Sequence, residues 1–561
     1  MTILEVESEA GIEREIRLPT PDSRPQALPR SERFLAIAIA GVTLVMRGIA
    51  FFHYRFDSDE PQHLHVAWGW TAGLLQYRDL FDNHAPLFHM ASAQLLRFLG
   101  ERSDVLLFMR APMVILWLVI TFAAFTLARR LYDTRVAIWA TLLLNVFPPF
   151  FLKSLEFRTD NLWNAFWMLA LLILFDASSR SGRLHSLQLF LGGILLGCAL
   201  SVSLKTSLLL LSFTAAGALT WAARIRGRER PAIRAMDIAV VLAGLVIVPA
   251  LIVAYFVARG AWSDFVYCVF RFNGLVALTR SPLAVWIPRL LYVPLIIILV
   301  RVAWRYRGTT TTWRFLFAVA TGIFILTLGG FWILISPRDY LPFFPFLAIF
   351  SVAALVRRKH FVMILCALSL VCLIGVGYYA AWLTNRTREF ITMENQLLRL
   401  TTPADMVMDY KGEMIYRRRP YYFILEFITR NAIARGLIAD TVPEDLVRTR
   451  CHVAQADGTQ WPERARVFMH TYFIDLGRLR ASGQWLRSNG SFTIGVPGDY
   501  VILTKRGEAG GMLDGTPYRG PRQLAAGPHL FTAAHPEGMA CLWAPAYARG
   551  FSPFHLQDLD F

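Results

Sequence analysis

Phe56-Asp57-Ser58-Asp59-Glu60-Pro61-Gln62-His63 sets three carboxylates within four positions and follows them with a histidine. Carboxylates so crowded repel one another and must be relieved by water, a cation or a basic side chain. Asp57, Asp59, Glu60 and His63 offer oxygen and nitrogen donors that could hold a divalent cation, a hard ion favouring the carboxylates. Their spacing matches no known metal motif, so metal-free chemistry stands beside that reading. Further short segments carry similar charge: Asn83-His84-Ala85-Pro86-Leu87, Glu156-Phe157-Arg158-Thr159-Asp160, the turn at Lys205, and Pro337-Arg338-Asp339-Tyr340. Singly, the acidic run is a solvated loop entrance, and an Arg or Lys beside an apolar run is an anchor snorkelling to a membrane surface. Jointly, loops offering cations and carboxylates on one face make a pocket suited to an anionic headgroup.

The elements that must position these residues are membrane helices. The 561-residue chain has 57 Lys plus Arg against 40 Asp plus Glu, a formal charge of +17, yet only 17% of its residues are charged while 55% are hydrophobic, and the mean hydropathy is +0.44. A soluble chain carries charge on roughly a quarter of its residues, so lipid is the solvent for much of this one. An ordinary cytosolic enzyme is excluded. Disorder is excluded too, by 13% aromatic content and abundant aliphatic residues. Apolar runs of about 20 residues, the length that spans a bilayer, start near Phe34, Val105, Val136, Asn161, Leu187, Ser207, Ile238, Val285, Phe315, Leu341 and Phe361, about eleven in all. The loops after alternate runs, 128–135, 178–183, 224–230, 301–314 and 357–359, are basic, which puts them and the N-terminus in the cytoplasm. That topology accounts for the positive charge without nucleic acid.

Residues 1–32 form a cytoplasmic tail whose acidic start makes a poor signal peptide, so the first apolar run is read as an uncleaved span. The first outer loop, about residues 53–104, faces away from the cytoplasm. In it Trp68, Trp70, Leu74, Leu75 and Tyr77 have the composition of a helix lying in the headgroup layer. An odd number of spans leaves residues 384–561 outside as one small α/β domain, with strands at Asp405–Tyr410, Val467–Ile474 and Tyr500–Leu503 and a helical stretch at Tyr421–Arg435. Six Cys show no metal spacing, and a Cys451–Cys541 disulfide is open to an extracytoplasmic tail.

Asp59-Glu60 after the first span, Asn83-His84-Ala85-Pro86-Leu87, Arg158-Thr159-Asp160, the stretch from Leu191-Gly192-Gly193 to Lys205, and Arg338-Asp339-Tyr340-Leu341-Pro342 resemble, in order, the landmarks of GT-C membrane glycosyltransferases. Within that superfamily the pattern is similar to the protein O-mannosyltransferases and the aminoarabinose transferase of lipid A. The resemblance covers roughly residues 33–383, read as the catalytic domain. It implies a polytopic α-helical membrane protein of about eleven transmembrane helices, GT-C-like, with a small extracytoplasmic α/β C-terminal domain. It also implies that Asp59 takes a proton from the acceptor hydroxyl, and that Glu60 or Asp57 orients it or helps hold a cation. Asp160 is implied as a second acidic site residue. Lys205, Arg338 and His84 would bind the phosphate of a lipid-linked donor, with Arg158, Tyr340 and His63 beside them. Where some relatives carry Lys-Pro-Pro, this chain has His84-Ala85-Pro86.

Sugar transfer passes through an oxocarbenium-like state, which a carboxylate on one face and a cation at the departing phosphate both stabilise. An outward face is better served by a polyprenyl-phosphate-linked donor than by cytoplasmic nucleotide sugars. The expected function is an inverting glycosyltransferase, acting on a glycan, lipid or protein acceptor in a bacterial inner membrane. The main rival is a transporter or flippase of a lipid-linked or anionic substrate. Carriers place ionisable residues at midplane, whereas Arg47, Arg110, Lys205 and Arg289 lie toward outer ends. A non-catalytic subunit displaying the tail as a binding module, with Tyr410, Lys411, Glu413, Arg417–Arg419 and Pro420–Tyr422 as its surface, is a third reading.

Overall fold

The computed structural model describes residues 28–178, 181–226, 234–275, 312–332, 335–380, 384–456, 461–488, 490–533 and 538–555. In its first part run α1 (Arg30–His53), the loop helices α2 (Asp59–Thr71) and α3 (Leu87–Leu99), then α4 (Val105–Leu131), α5 (Thr134–Val146), α6 (Pro148–Lys153), α7 (Thr159–Ala177), α8 (Gly182–Val202), α9 (Thr206–Arg226) and α10 (Ala235–Ala258). Helices Thr312–Phe331, Phe344–Leu355 and Phe361–Ala380 follow, and the run expected near Val285 lies outside the described residues. Among the described residues α1, α4, α8, α10 and Phe361–Ala380 are long and apolar enough to cross a membrane, and shorter apolar helices cover 134–146, 206–221, 313–328 and 344–355. The lipid-facing character is visible on α10, where Ile238, Leu242, Val246 and Leu251 are each more than half exposed. Such an apolar stripe is sustained only where lipid replaces water.

Two local devices shape this bundle. Pro148 and Pro149 cannot continue α5, which stops at Val146; the chain turns and α6 carries Lys153 toward Glu156. α8 and α10 cross in backbone contact, because Gly193, Gly197 and Gly244 leave no side chain between them: a Cβ on Gly193 would stand 2.2 Å from the Val241 carbonyl oxygen. Gly193→Ala must therefore push the helices apart, and a loss of about 1–3 kcal/mol is expected. A lowered melting temperature in lipid nanodiscs checks this; an unchanged one contradicts the close crossing.

Two expectations for the loop and tail change. α2 packs into the protein: Glu60–Ala67 and Gly69 are buried, and His65 Nδ1 lies 2.9 Å from the Ile415 carbonyl oxygen of the tail. Leu74, Leu75 and Tyr77 lie beyond the helix end, after Gly73 at φ +77°. Val467–Tyr472 belongs to helix Glu463–Tyr472 and only Phe473–Asp475 is strand; Ala465 and Met469, four residues apart, bury one helical face where alternation was read.

The tail is β-rich. Its described strands are β1 (Val407–Met408), β2 (Val453–Gln455), β3 (Phe473–Asp475), β4 (Leu479–Trp485), β5 (Ser491–Ile494), β6 (Gly498–Thr504), β7 (Gly507–Glu508), β8 (Gly511–Leu513), β9 (Thr516–Tyr518), β10 (Arg522–Leu524), β11 (Gly527–Ala533) and β12 (Met539–Trp543). One sheet runs β1-β2-β4-β12-β6-β10, with β3 beside β4 and β7 beside β6; the other runs β5-β11-β8-β9. Only β1–β2 is parallel among these described pairs. Cys451 and Cys541 are free thiols buried in two different apolar cores, so the disulfide does not form.

Helix Arg388–Leu400 joins the tail to the bundle and carries Glu394, fully buried, whose Oε1 accepts the Ile415 N–H at 3.0 Å. Burial pushes its carboxyl up to about 8, against that hydrogen bond. A raised carboxyl pKa favours the folded state below the unfolded value and loses that advantage as pH climbs through the folded one. Glu394→Gln removes the ionisation and is expected to raise the melting temperature by several degrees at about pH 9, with little change at about pH 5. Equal shifts at both pH values contradict it.

Candidate active site

The loop after α1 is fixed by one buried ion pair. Arg110 of α4 donates from Nε and Nη2 to Glu60 at 2.8 and 2.5 Å, and from Nη1 and Nη2 to the Tyr54 and Arg55 carbonyls at 2.9 Å each. Glu60 also accepts the Asp57 and Phe157 backbone N–H groups, both at 2.8 Å. With every oxygen engaged and no exposure, Glu60 is a strut for the loop and is closed to substrate. Its work is to hold 57–60 against 156–160. Asn161 tightens the second segment by donating to the Lys153 and Glu156 carbonyls.

Above this strut the expected charges meet. Arg158 Nη1 lies 2.8 Å from Asp57 Oδ1 and 2.5 Å from Asp59 Oδ2, while its Nε is 3.3 Å from Asp160. Arg338 Nη1 approaches Asp59 at 3.1 Å and Asp57 at 3.8 Å. Lys205, in the turn between α8 and α9, pairs with Asp339 and stands 3.6 Å from Asp160. Asp339 in turn caps the Ser336 N–H at 2.6 Å, which locks the Pro337–Tyr340 turn and so aims Arg338. Asp57, Asp59, Arg158, Asp160, Lys205 and Arg338 thus come together from four segments spread over some 280 residues of sequence.

Electrostatics follows from this crowding. Burial opposes the charge on Asp59, but Arg158, Lys411 and Arg338 prevail and hold its carboxyl well below the usual range. Asp57 is lowered in the same way, burial being outweighed by Arg158, Lys153 and Arg338. Glu156 is pushed up to about 7 by burial, although Lys153 is only 2.6 Å away. Asp57 and Asp59 are thus held as carboxylates, while burial makes Glu156 easier to protonate than either.

His84 sits with its Nδ1 2.9 Å from Asp82 Oδ1 and its side chain about one-third exposed. Burial alone would favour its neutral form, yet Asp82 keeps its pKa raised. His63 is fully buried, its Nδ1 3.0 Å from His89 Nε2. Tyr340 packs in the apolar core near Phe344. His63 and Tyr340 are buried beside the charged surface, the His63 ring centroid 4.7 Å from that of His84.

Lys153 escaped the sequence reading, and Lys411 was read only as part of a binding surface on the tail. Lys153 reaches Asp57 at 3.7 Å because of the Pro148–Pro149 turn, and Lys411 of the tail pairs with Asp59 across 352 positions. The first could have been suspected from the Pro pair; the second had no local signal. The four proposed metal donors do not form a donor set: Glu60 is saturated by Arg110, His63 is turned to His89, and Arg55, Lys153, Arg158, Arg338 and Lys411 already pair with Asp57 or Asp59. Among the described residues no three His, Cys, Asp or Glu side chains gather to hold a metal. The residues present do not fit a divalent cation, and no step is routed through one.

Residues 83–253 match the family model described as dolichyl-phosphate-mannose-protein mannosyltransferase. No curated protein sequence matches the chain. Among solved structures, apo ArnT from Cupriavidus metallidurans superposes with a TM-score of 0.53 at 13% identity, covering 80% of this chain and 98% of that one. The same ArnT bound to undecaprenyl phosphate gives 0.49 at 14% identity, covering 75% and 93%. The oligosaccharyltransferase AglB from Archaeoglobus fulgidus, in complex with an inhibitory peptide and a dolichol-phosphate, gives 0.47 at 11%, covering 85% and 74%. The apo ArnT match shows the fold: this is a GT-C-like, multi-pass integral membrane architecture with a β-rich C-terminal domain, in agreement with the sequence resemblance.

Proposed function

We propose that this GT-C-like protein is an inverting glycosyltransferase that moves a sugar from a polyprenyl-phosphate-linked donor to an acceptor hydroxyl on the non-cytoplasmic face of a bacterial inner membrane. The observation that carries this reading is the meeting of Asp59 with Arg158 and Arg338, beside Asp160 and Lys205. The matching family is described by a dolichyl-phosphate sugar, the same class of donor. In this arrangement residues 1–32 are cytoplasmic, 33–383 hold the catalytic bundle and 384–561 are periplasmic.

The chemistry divides between the two signs of charge. Arg338 and Lys205, with His84 at the rim, hold the donor phosphate and stabilise the negative charge that it gains as its bond to the anomeric carbon breaks. Asp59 accepts the hydrogen bond of the acceptor hydroxyl. It takes the proton late, as the new carbon–oxygen bond makes that hydroxyl acidic; a weakly basic carboxylate serves such a step. Asp57 shares Arg158 and orients Asp59, and Asp160 fixes Lys205. One displacement inverts the anomeric centre. Charges at helix ends, not at midplane, favour this over a carrier.

A set of polyprenyl-phosphate-linked sugars, offered to the protein in proteoliposomes with glycan, lipid and peptide acceptors, tests the reading. Release of polyprenyl phosphate matched by a glycoside of opposite anomeric configuration is expected. A product of retained configuration, or transbilayer movement of the intact donor without glycoside formation, rejects it.

A further inference from the structure

The loop between α2 and α3 carries a chain of buried polar groups that the transfer chemistry above leaves unused. Trp70 donates its indole N–H to Gln76 Oε1 at 2.8 Å, and since that N–H can only donate, the amide is fixed with Nε2 facing Asp82 Oδ2 at 2.7 Å. The same Nε2 lies 3.3 Å from His89 Nδ1, and His89 Nε2 lies 3.0 Å from His63 Nδ1. The other oxygen of Asp82 meets His84 Nδ1 at 2.9 Å. Gln76, Asp82, His63 and His89 are all fully buried. The backbone beneath His84 is tied at two carbonyls: Tyr77 donates its hydroxyl to that of His84 at 2.7 Å, and Asn273 donates Nδ2 to that of Asn83 at 2.9 Å.

Positive charge in this chain has one place to settle. Asp82 pairs with no Lys or Arg among the described residues, and a buried carboxylate needs a cation. His89 is only 3.5 Å away, but burial drives it down to about 4, and burial holds His63 well below the usual imidazole range. Neither supplies a cation near neutral pH. His84 does: burial favours its neutral form, but Asp82 outweighs burial, with Asp59 and Glu426 adding to the effect. The groups in whose field its ring stands are Asp82 of its own loop, Asp59 and His63 of α2, His89 of α3, Asp160 of α7 and Glu426 of the tail. An ionised Asp82 can only accept, so His84 Nδ1 carries a proton and the second ring nitrogen is left for a ligand. That Nε2 makes no hydrogen bond among the described residues.

We propose that Asp82 is a positioning residue of the transferase: it holds His84 as a cation whose Nε2–H meets the donor phosphate, so that the donor is gripped fully only while His84 carries its proton. The proposal rests on the glycosyltransferase reading above, which places His84 at the phosphate. Gln76 and Trp70 keep Asp82 in place, and the neutral His63–His89 pair leaves its charge to His84 alone. A lysine at the same place would stay charged to about pH 10. The imidazolium gives up its charge and its hydrogen bond to the phosphate together. The grip is therefore present below the pKa of His84 in the folded protein and weakens as pH rises through it.

Binding of a polyprenyl methyl phosphate to the full-length protein in lipid nanodiscs tests this. The diester keeps a single charge between about pH 6 and about pH 9 and has no sugar to transfer. Its affinity should fall about tenfold across that range, with a midpoint above the ordinary imidazole value of about 6.5. His84→Lys should remove the fall, and Asp82→Asn should move its midpoint to lower pH. Adding His84→Lys to Asp82→Asn should restore binding at about pH 9, a rescue that a merely structural part for Asp82 would not allow. A flat affinity in the parent, a fall that persists in His84→Lys, where Glu156 and Glu426 still titrate, or an unmoved midpoint in a folded Asp82→Asn protein overturns the proposal. If Asp82→Asn does not fold, a parent midpoint at or below about 6.5 overturns the part given to Asp82. A diester that binds without the pH limb removes the gate alone, whereas one that binds at no pH removes the donor-phosphate site of the transferase reading and the gate with it.

Discussion

Asp59→Asn is expected to lower the rate of sugar transfer by about 1,000-fold at saturating donor, within the range seen when a positioned proton acceptor is lost. The amide keeps the shape of the side chain and can still face Arg158, Arg338 and Lys411. It cannot take the acceptor proton, and it removes the negative charge that balances those cations beside the reacting carbon. Donor binding should fall little, because Arg338 and Lys205 remain. Membrane insertion and melting temperature should also change little, since Asp57 and Asp160 still neutralise Arg158. Initial rates and polyprenyl phosphate binding, measured side by side, separate these effects. Full activity in Asp59→Asn would reject its assignment as the proton acceptor.

Arg110→Met should do its damage through folding. Removing one member of a fully buried pair leaves Glu60 charged and unpaired, a loss of about 3–5 kcal/mol. Tyr54 and Arg55 lose the donors that staple the end of α1 to α4, so the loop that carries Asp57 and Asp59 comes loose. The double variant Arg110→Met with Glu60→Leu removes both charges and should regain much of the stability, since an apolar pair of similar volume replaces a desolvated ion pair. It should not regain activity, because Glu60 also holds the Asp57 and Phe157 backbone. A single Arg110→Met protein as stable as the parent contradicts the strut.

Why so much of the site was legible in the sequence can be seen at Arg158 and Arg338. Both sit in short loops between apolar runs, where the alternation of helices leaves few places to go; all loops on one face meet near one level. Charge in such loops is therefore a spatial signal even without a contact map. The landmarks Asp59, Asp160, Lys205 and Arg338 were found in this way. The resemblance implied a chemical part for Glu60 beside Asp59, but one step along a helix rotates a side chain by about 100°, and that turn delivers Glu60 to Arg110.

Lys411 shows the opposite case. Nothing in Asp409-Tyr410-Lys411-Gly412 says that a turn of the tail reaches the first loop; the contact depends on Gly412 lacking a side chain against His65. The helix read over Trp68–Tyr77 is shorter than its composition suggests, since α2 ends at Thr71 and Gly73 turns the chain. Helix Glu463–Tyr472 was misread because β-branched and aromatic residues favour strands only where a sheet is there to receive them.

The most direct test of the central claim is a cryo-EM structure of the protein in nanodiscs with a polyprenyl phosphate bound. The phosphate is predicted to lie within hydrogen-bonding distance of Arg338 and Lys205, with Asp59 facing the side where the anomeric carbon of the donor would stand. A phosphate held at another face of the bundle, with Asp59, Arg158 and Arg338 still closed on one another, would contradict it.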